Sequence, residues 1–338
     1  MSEHSTKTIG VIGAGAWGTA LAQAFASGGR DVTIWAREAE VVDAINNEHE
    51  NTVFLKGHKL DPSLEATHQL SEVAVADIIL VVTPAQYVRA TLTEIRPNLL
   101  EHQAIVICSK GIELDSGLLL SEVAAQVLGP DRAIAILTGP TFASEIVAGL
   151  PGAVTIGTNH IEFGRDLQSH LGVKKFRPYV SNDIVGVQLG GAIKNVIAIA
   201  CGIVTGKKMG ESARAALLTR GIAEIARLGV AMGGKEETLL GMCGVGDLVL
   251  TCSSMQSRNF SLGMALGEGK TLEEVLGNRN SVTEGVFTAQ STLELAKSHN
   301  VAMPITEAIA ACLAGTVSVD SAIEDMLNRP FKYEMIQT

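Results

Sequence analysis

Hydrophobic and polar positions change their rhythm near the middle of the chain. The first half carries short, almost continuous apolar runs at 8–12, 31–35, 78–82, 104–107 and 134–137. Between them lie segments with helical spacing at 18–27, 39–46, 85–95 and 116–128. Apolar strands alternating with helices predict a mainly parallel sheet covered on both faces, an α/β doubly wound arrangement. Two further β-like runs, 153–157 and 176–180, are expected to extend that sheet. From about residue 181 the strands give way to helical periodicity at 184–204, 212–232, 285–299, 305–314 and 318–327. Thr271, with Glu274 three residues later, reads as an N-cap and capping box. The pattern predicts an α/β unit over 1–183 and an all-α unit over 184–338, sharing a substantial interface because an apolar helix follows the boundary at once.

Composition adds to this picture in three places. Of 338 residues, 46% are hydrophobic but only 4% aromatic, so the core must be built from Ala, Val, Ile and Leu. A net charge of −10 argues against a nucleic-acid partner. A small anionic substrate remains compatible with it, since a pocket needs only a few local cations. Five scattered cysteines without a CxxC pair read as reduced thiols in a cytoplasmic protein, with no metal site. The polar start, 1–7, lacks the apolar core of a signal peptide. The stretch 184–206 is long and apolar enough to suggest a membrane span, but Lys194 sits at its middle and several glycines weaken it. A buried helix of a soluble domain is the better reading.

The first chemical signal is Ile9-Gly-Val-Ile-Gly13-Ala-Gly15-Ala16-Trp17-Gly18, a G-x-G-x-x-G placed between a strand and a helix. The first glycine permits a tight turn, the second a close approach of backbone to a pyrophosphate, and the third close helix–sheet packing. This context predicts a Rossmann-type dinucleotide site over a doubly wound mainly parallel sheet. At the end of the second strand, where a carboxylate usually selects NAD, the chain reads Ala36-Arg37-Glu38. A guanidinium there favours NADP or at least accepts it; the alternative is that Arg37 pairs with Glu38 or Glu40 on the surface.

Three later segments offer a proton donor and cations. Lys110 follows a sheet strand, whose C-terminal end faces the ligand crevice in this fold. Lys194 is the only charge between Asp183 and Lys207 and must either snorkel outward or line a polar cleft. Partial desolvation and a neighbouring cation such as Lys110 would lower its pKa toward the range useful for acid–base work. Asp247, in a glycine-rich turn, is placed to orient an ammonium or simply to form the turn. Ser257, Arg258 and Asn259 open a helix, an arrangement suited to phosphate, although capping explains the serine equally well.

Across its length the chain closely resembles bacterial NAD(P)-dependent glycerol-3-phosphate dehydrogenases. The stretches that carry the resemblance are GAGAWGTALA at 13–22, SKGIE at 109–113, LTGPTFASEI at 137–146, GGAIKNVIAIACGI at 190–203, GVGDLVLTCSS at 244–254, SRNFSLG at 257–263 and VTEGVFTA at 282–289. The resemblance implies that Lys194 is the general acid in reduction of dihydroxyacetone phosphate to sn-glycerol 3-phosphate. It implies a substrate site of Lys110, Gly139, Thr141, Lys194, Asp247, Ser257, Arg258 and Asn259. The cofactor, NADPH or NADH, would touch Gly13, Gly15, Ala16, Trp17, Gly18, Arg37, Lys110, Ala143, Arg258, Val282 and Glu284. Ala16 departs from the serine that relatives often carry. Family members are commonly homodimers that supply the backbone of membrane phospholipids. Competing expectations are a dehydrogenase of a 3-hydroxy or sugar acid, and a non-catalytic dinucleotide-binding regulator.

Overall fold

The computed structural model describes residues 7–277 and 282–331. Eight strands form one sheet in the order β3-β2-β1-β4-β5-β6-β7-β8. They are β1 (Ile9–Ile12), β2 (Val32–Trp35), β3 (Glu65–Thr67), β4 (Ile78–Val81), β5 (Ala104–Ile107), β6 (Ile134–Thr138), β7 (Gly152–Gly157) and β8 (Phe176–Ser181). All neighbours are parallel except β6 and β7. The central strands β1, β4 and β5 are buried at every position, as apolar runs covered on both faces must be.

Around this sheet lie α1 (Ala16–Ala26), α2 (Ala39–Asp43), α3 (Leu70–Val73), α4 (Val88–Ile95), α5 (Leu120–Leu128), α6 (Ala143–Val147) and α7 (Ile161–Leu171). One apolar cluster, with Leu21, Phe25, Ile34 and Leu80, fills one face, and another, with Ile79, Val88, Leu92 and Ile107, fills the other. The helical half continues with α8 (Ile184–Gly206), α9 (Glu211–Ala231), α10 (Glu236–Leu239), α11 (Asp247–Thr251), α12 (Arg258–Gly267), α13 (Leu272–Leu276), α14 (Glu284–Ser298), α15 (Pro304–Leu313) and α16 (Val319–Leu327). The Thr271–Glu274 capping box forms as the spacing predicts.

The apolar segment that resembles a membrane span is α8, the buried axis of this half. Asp183 caps it, accepting from the Gly186 amide at 2.8 Å. Against α8 lies α12, at backbone distance. A Cβ at Gly263 would stand 2.0 Å from the Ile199 carbonyl oxygen, and one at Gly202 would stand 2.1 Å from that of Phe260. Only glycines permit this approach, and it fixes the height of Lys194 relative to the start of α12.

The sequence pattern misses some short elements. β3 has three residues and begins with an exposed glutamate, so it carries no apolar run. The helix expected at 39–46 is α2 followed by a wider π-type turn, Ala44–Glu48, that ends at His49 in a left-handed conformation. The helix expected at 116–128 starts at Leu120, because 112–119 folds back on itself through an Ile112–Leu119 bridge and a Glu113 amide bond to the Leu118 carbonyl.

Candidate active site

The nucleotide turn is made from backbone. Gly13 has φ +116°, and a Cβ at Gly18 would stand 1.8 Å from the Gly13 carbonyl oxygen. A Cβ at Gly15 would meet nothing within 4 Å. Gly13 and Gly18 are thus required by the chain itself, whereas Gly15 leaves open space at the start of α1. Gly15 is the N-cap of α1 and brings no capping side chain, so the helix start presents N–H groups and the positive end of its dipole. The Trp17 indole Nε1 is buried there without a protein partner. Open space, backbone donors and an orphaned donor fit a dinucleotide pyrophosphate. Arg37 is highly exposed and rests on Glu38, Nη2 to Oε1 at 3.1 Å. This is the surface pairing that the sequence left as an alternative.

The second cluster is made from charge and lies in the interior. Asp247 begins α11 and is fully buried. Its Oδ2 accepts from the Lys110 Nζ at 2.8 Å, and its Oδ1 accepts from the Lys194 Nζ. Lys110 arrives from the loop after β5 and also donates to the Gly139 carbonyl oxygen at 3.3 Å. Lys194 lies midway along α8 and is 5% exposed, so it does not snorkel. Thr251, one turn beyond Asp247, accepts from Lys194 at 2.9 Å. Burial pulls the Lys194 ammonium down to about 7; Asp247 opposes the shift and Lys110 adds to it. Two ammonium groups share one carboxylate, leaving a positive site suited to an anionic substrate and to a developing alkoxide.

The start of α12 adjoins this cluster through paired amides. Asn259 donates to the Asn195 Oδ1 at 3.0 Å and accepts from the Gly285 amide at 3.0 Å. Asn259 therefore ties α8, α12 and α14 together. The Ser257 hydroxyl accepts from the Phe260 amide at 3.2 Å, so it acts here as the helix cap. Arg258, next in line, is exposed and interacts electrostatically with Glu284. Glu284 opens α14 and reaches across to the sheet, accepting from the Ala85 amide at 3.2 Å while its Oε2 stays buried without a partner. Burial pushes its carboxyl up. Val282 lies two residues before it, exposed. Thr141 donates to the Gly139 carbonyl at 3.4 Å, and Ala143 begins α6, which packs on α1.

Sequence reasoning names Lys110, Lys194 and Asp247, and the fold brings them into one contact. It misses Thr251, whose spacing four residues after Asp247 on a helix was the available signal. Asn195, next to Lys194 on α8, is the partner of Asn259.

A Rossmann-type sheet joined to a helical half, with a desolvated lysine where the two meet, is the architecture of a nicotinamide-dinucleotide oxidoreductase. Comparison with known proteins narrows the class. The family description "NAD-dependent glycerol-3-phosphate dehydrogenase N-terminus" matches residues 8–164, and the corresponding C-terminus matches residues 183–324. A glycerol-3-phosphate dehydrogenase of the NAD(P)+ type from Parvibaculum lavamentivorans is 54% identical over 97% of this chain and 98% of its own. One from Caulobacter vibrioides is 52% identical over 96% and 98%. The crystal structure of glycerol-3-phosphate dehydrogenase from Coxiella burnetii superposes with a TM-score of 0.91 at 37% identity, covering 96% of this chain and 99% of that one. The chain belongs to the NAD-dependent glycerol-3-phosphate dehydrogenase family. A D-mandelate dehydrogenase, at 14% identity and a TM-score of 0.62, shares the fold alone.

Proposed function

We propose that the chain reduces dihydroxyacetone phosphate to sn-glycerol 3-phosphate in a single cleft between its two halves, with Lys194 as the proton donor. The reaction is that of the family, an NAD(P)+-dependent interconversion of a ketone phosphate and its alcohol. One observation carries the residue assignment: a buried ammonium, Lys194, held by Asp247 and Thr251 and repelled by Lys110.

The nicotinamide cofactor, when bound, would supply or take up the hydride at C2 of the substrate. The protein's own groups do the rest. Asp247 and Thr251 fix the Lys194 Nζ, so that its remaining N–H points out of the cluster toward the C2 oxygen. As charge develops on that oxygen, Lys194 gives up a proton that burial has already made easier to lose. In the reverse direction the neutral amine accepts it. Lys110, with Gly139 and Thr141 beside it, supplies positive potential on the sheet side. Arg258 and the Asn259-anchored start of α12 take the substrate phosphate. Gly13, Gly15, Ala16, Trp17 and Gly18 hold the pyrophosphate, with Ala143, Val282 and Glu284 completing the cofactor wall. Arg37 leaves Glu38 for the extra phosphate of NADPH, which makes NADPH the preferred cofactor.

The two halves are best treated as units of 1–183 and 184–338, since β8 ends at Ser181 and α8 starts at Ile184. Exposed apolar side chains such as Val230, Leu240 and Phe287 favour a homodimer. Five free cysteines suit the cytoplasm, and the product suits glycerophospholipid synthesis. The decisive assay follows the absorbance of NADPH and of NADH with dihydroxyacetone phosphate and with unphosphorylated keto acids. Oxidation with the phosphorylated ketone alone supports this reading. Equal rates with an unphosphorylated keto acid overturn it, and sedimentation as a monomer overturns the dimer.

A further inference from the structure

The reach of Lys110 to Asp247 depends on a loop with little regular structure of its own, 108–119, between β5 and α5. Its neighbour is the 3-10 turn Ala85–Tyr87 after β4, which runs into α4. Gln86 projects from that turn and brackets the loop with both ends of its side-chain amide. Nε2 donates to the Ile112 carbonyl at 2.9 Å, and Oε1 accepts from the Leu114 amide at 3.0 Å. Only this orientation of the amide satisfies both backbone groups. The side chain thus replaces a missing strand partner, two residues from Lys110.

The helix that follows this turn, α4, clamps the loop a second time. Arg89 forms a two-pronged ion pair with Glu113, Nε to Oε1 at 2.9 Å and Nη2 to Oε2 at 2.7 Å, and holds that carboxyl below its usual range. Beside Gln86, the Ala85 amide is the group that Glu284 holds from α14. A continuous path therefore runs from Glu284 through Ala85 and Gln86 to the loop, then to Lys110, Asp247 and Lys194. We propose that Gln86 is a positioning residue that holds the Lys110 loop against Asp247 and so tunes the proton donor through Lys110. This rests on the roles assigned above to Lys110 and Lys194.

Loosening the loop carries Lys110 away from Asp247. That removes a repulsion from Lys194 and leaves it the whole of the carboxylate, so the Lys194 pKa rises. The groups facing its Nζ are Asp247 and Thr251 from α11, Lys110 from the loop, and the Cys252 thiol. None belongs to the turn that bears Gln86.

The test is a double-mutant cycle of Gln86→Met and Lys110→Met, read as kcat/KM for dihydroxyacetone phosphate at high enzyme concentration, with pH profiles of both single variants. Expected are a loss of about tenfold for Gln86→Met, little further loss when it is added to Lys110→Met, and an inflection moved to higher pH. Losses that multiply, or an inflection that stays in place, overturn the proposal while leaving the Lys110 assignment intact. If Lys110→Met itself keeps full activity, the site reading fails and this inference falls with it. Should Gln86→Met not fold, Gln86→Asn is the second variant. It is one methylene too short to bracket both groups and must show the same non-additivity and the same direction of pH shift.

Discussion

The two halves of the cleft are built from opposite materials. On the sheet side, the Gly13–Gly18 turn uses backbone: positive φ at Gly13, the Gly18 contact with the Gly13 carbonyl, and bare space beyond Gly15. On the helical side, Lys194, Asp247 and Lys110 use charge withdrawn from water, held by donors and acceptors on α8, α11 and the β5 loop. The first arrangement suits a group that is already charged and needs only shape and N–H donors. In the proposed reaction the second changes its charge during turnover, so its energy depends on how the cluster is desolvated and paired. A backbone site tolerates changes in surrounding side chains, while a charge cluster fails when one member is lost.

The largest effect should come from the charge cluster. Lys194→Ala should lower kcat by about 10²–10⁴-fold while cofactor binding, followed by fluorescence, is preserved. A similar loss in both quantities would mean that the two regions are not separable. Next, Arg258→Ala should raise KM for dihydroxyacetone phosphate by roughly 10- to 100-fold through lost charge-assisted hydrogen bonds. An unchanged KM removes Arg258 from phosphate binding. On the sheet side, Gly15→Ala should keep Tm, because its Cβ meets no protein atom within 4 Å. It should nonetheless weaken the cofactor about tenfold by crowding the pyrophosphate, a contrast that calorimetry of binding and unfolding checks together. A fall in Tm instead would place the glycine's role in the fold. The smallest effect belongs to Arg37→Ala, an exposed group screened by solvent, which should cut the NADPH-to-NADH preference about two- to fivefold. An unaltered ratio would assign Arg37 to its pairing with Glu38.

Much of this contrast is legible in the sequence, for reasons that differ by region. The glycine turn is local: strand, turn and helix lie within eighteen residues, so the motif and its context are read together. Lys194 stands out because an isolated charge on an apolar helix requires an explanation. What it contacts is not local, since Asp247 is 53 residues away and Lys110 is 84 residues before it. The sequence offers both outcomes for Lys194, snorkelling or lining a cleft, and only packing decides between them. Asn259 was expected at a phosphate site, yet its amide is bonded to Asn195 and Gly285, a tie between helices that no spacing rule reveals. The short strand β3 and the fold-back at 112–119 were likewise unreadable, because neither carries a hydrophobic period.

If a desolvated Lys194 carries the proton, the pH dependence of kcat in both directions must follow its titration. A lysine lowered to about 7 is protonated below that pH and neutral above it. Reduction of dihydroxyacetone phosphate should therefore fall as pH rises through that value, while oxidation of sn-glycerol 3-phosphate rises across the same window. Two profiles that move in the same direction, or an inflection only at the value of an ordinary lysine, would show that Lys194 does not act in this way.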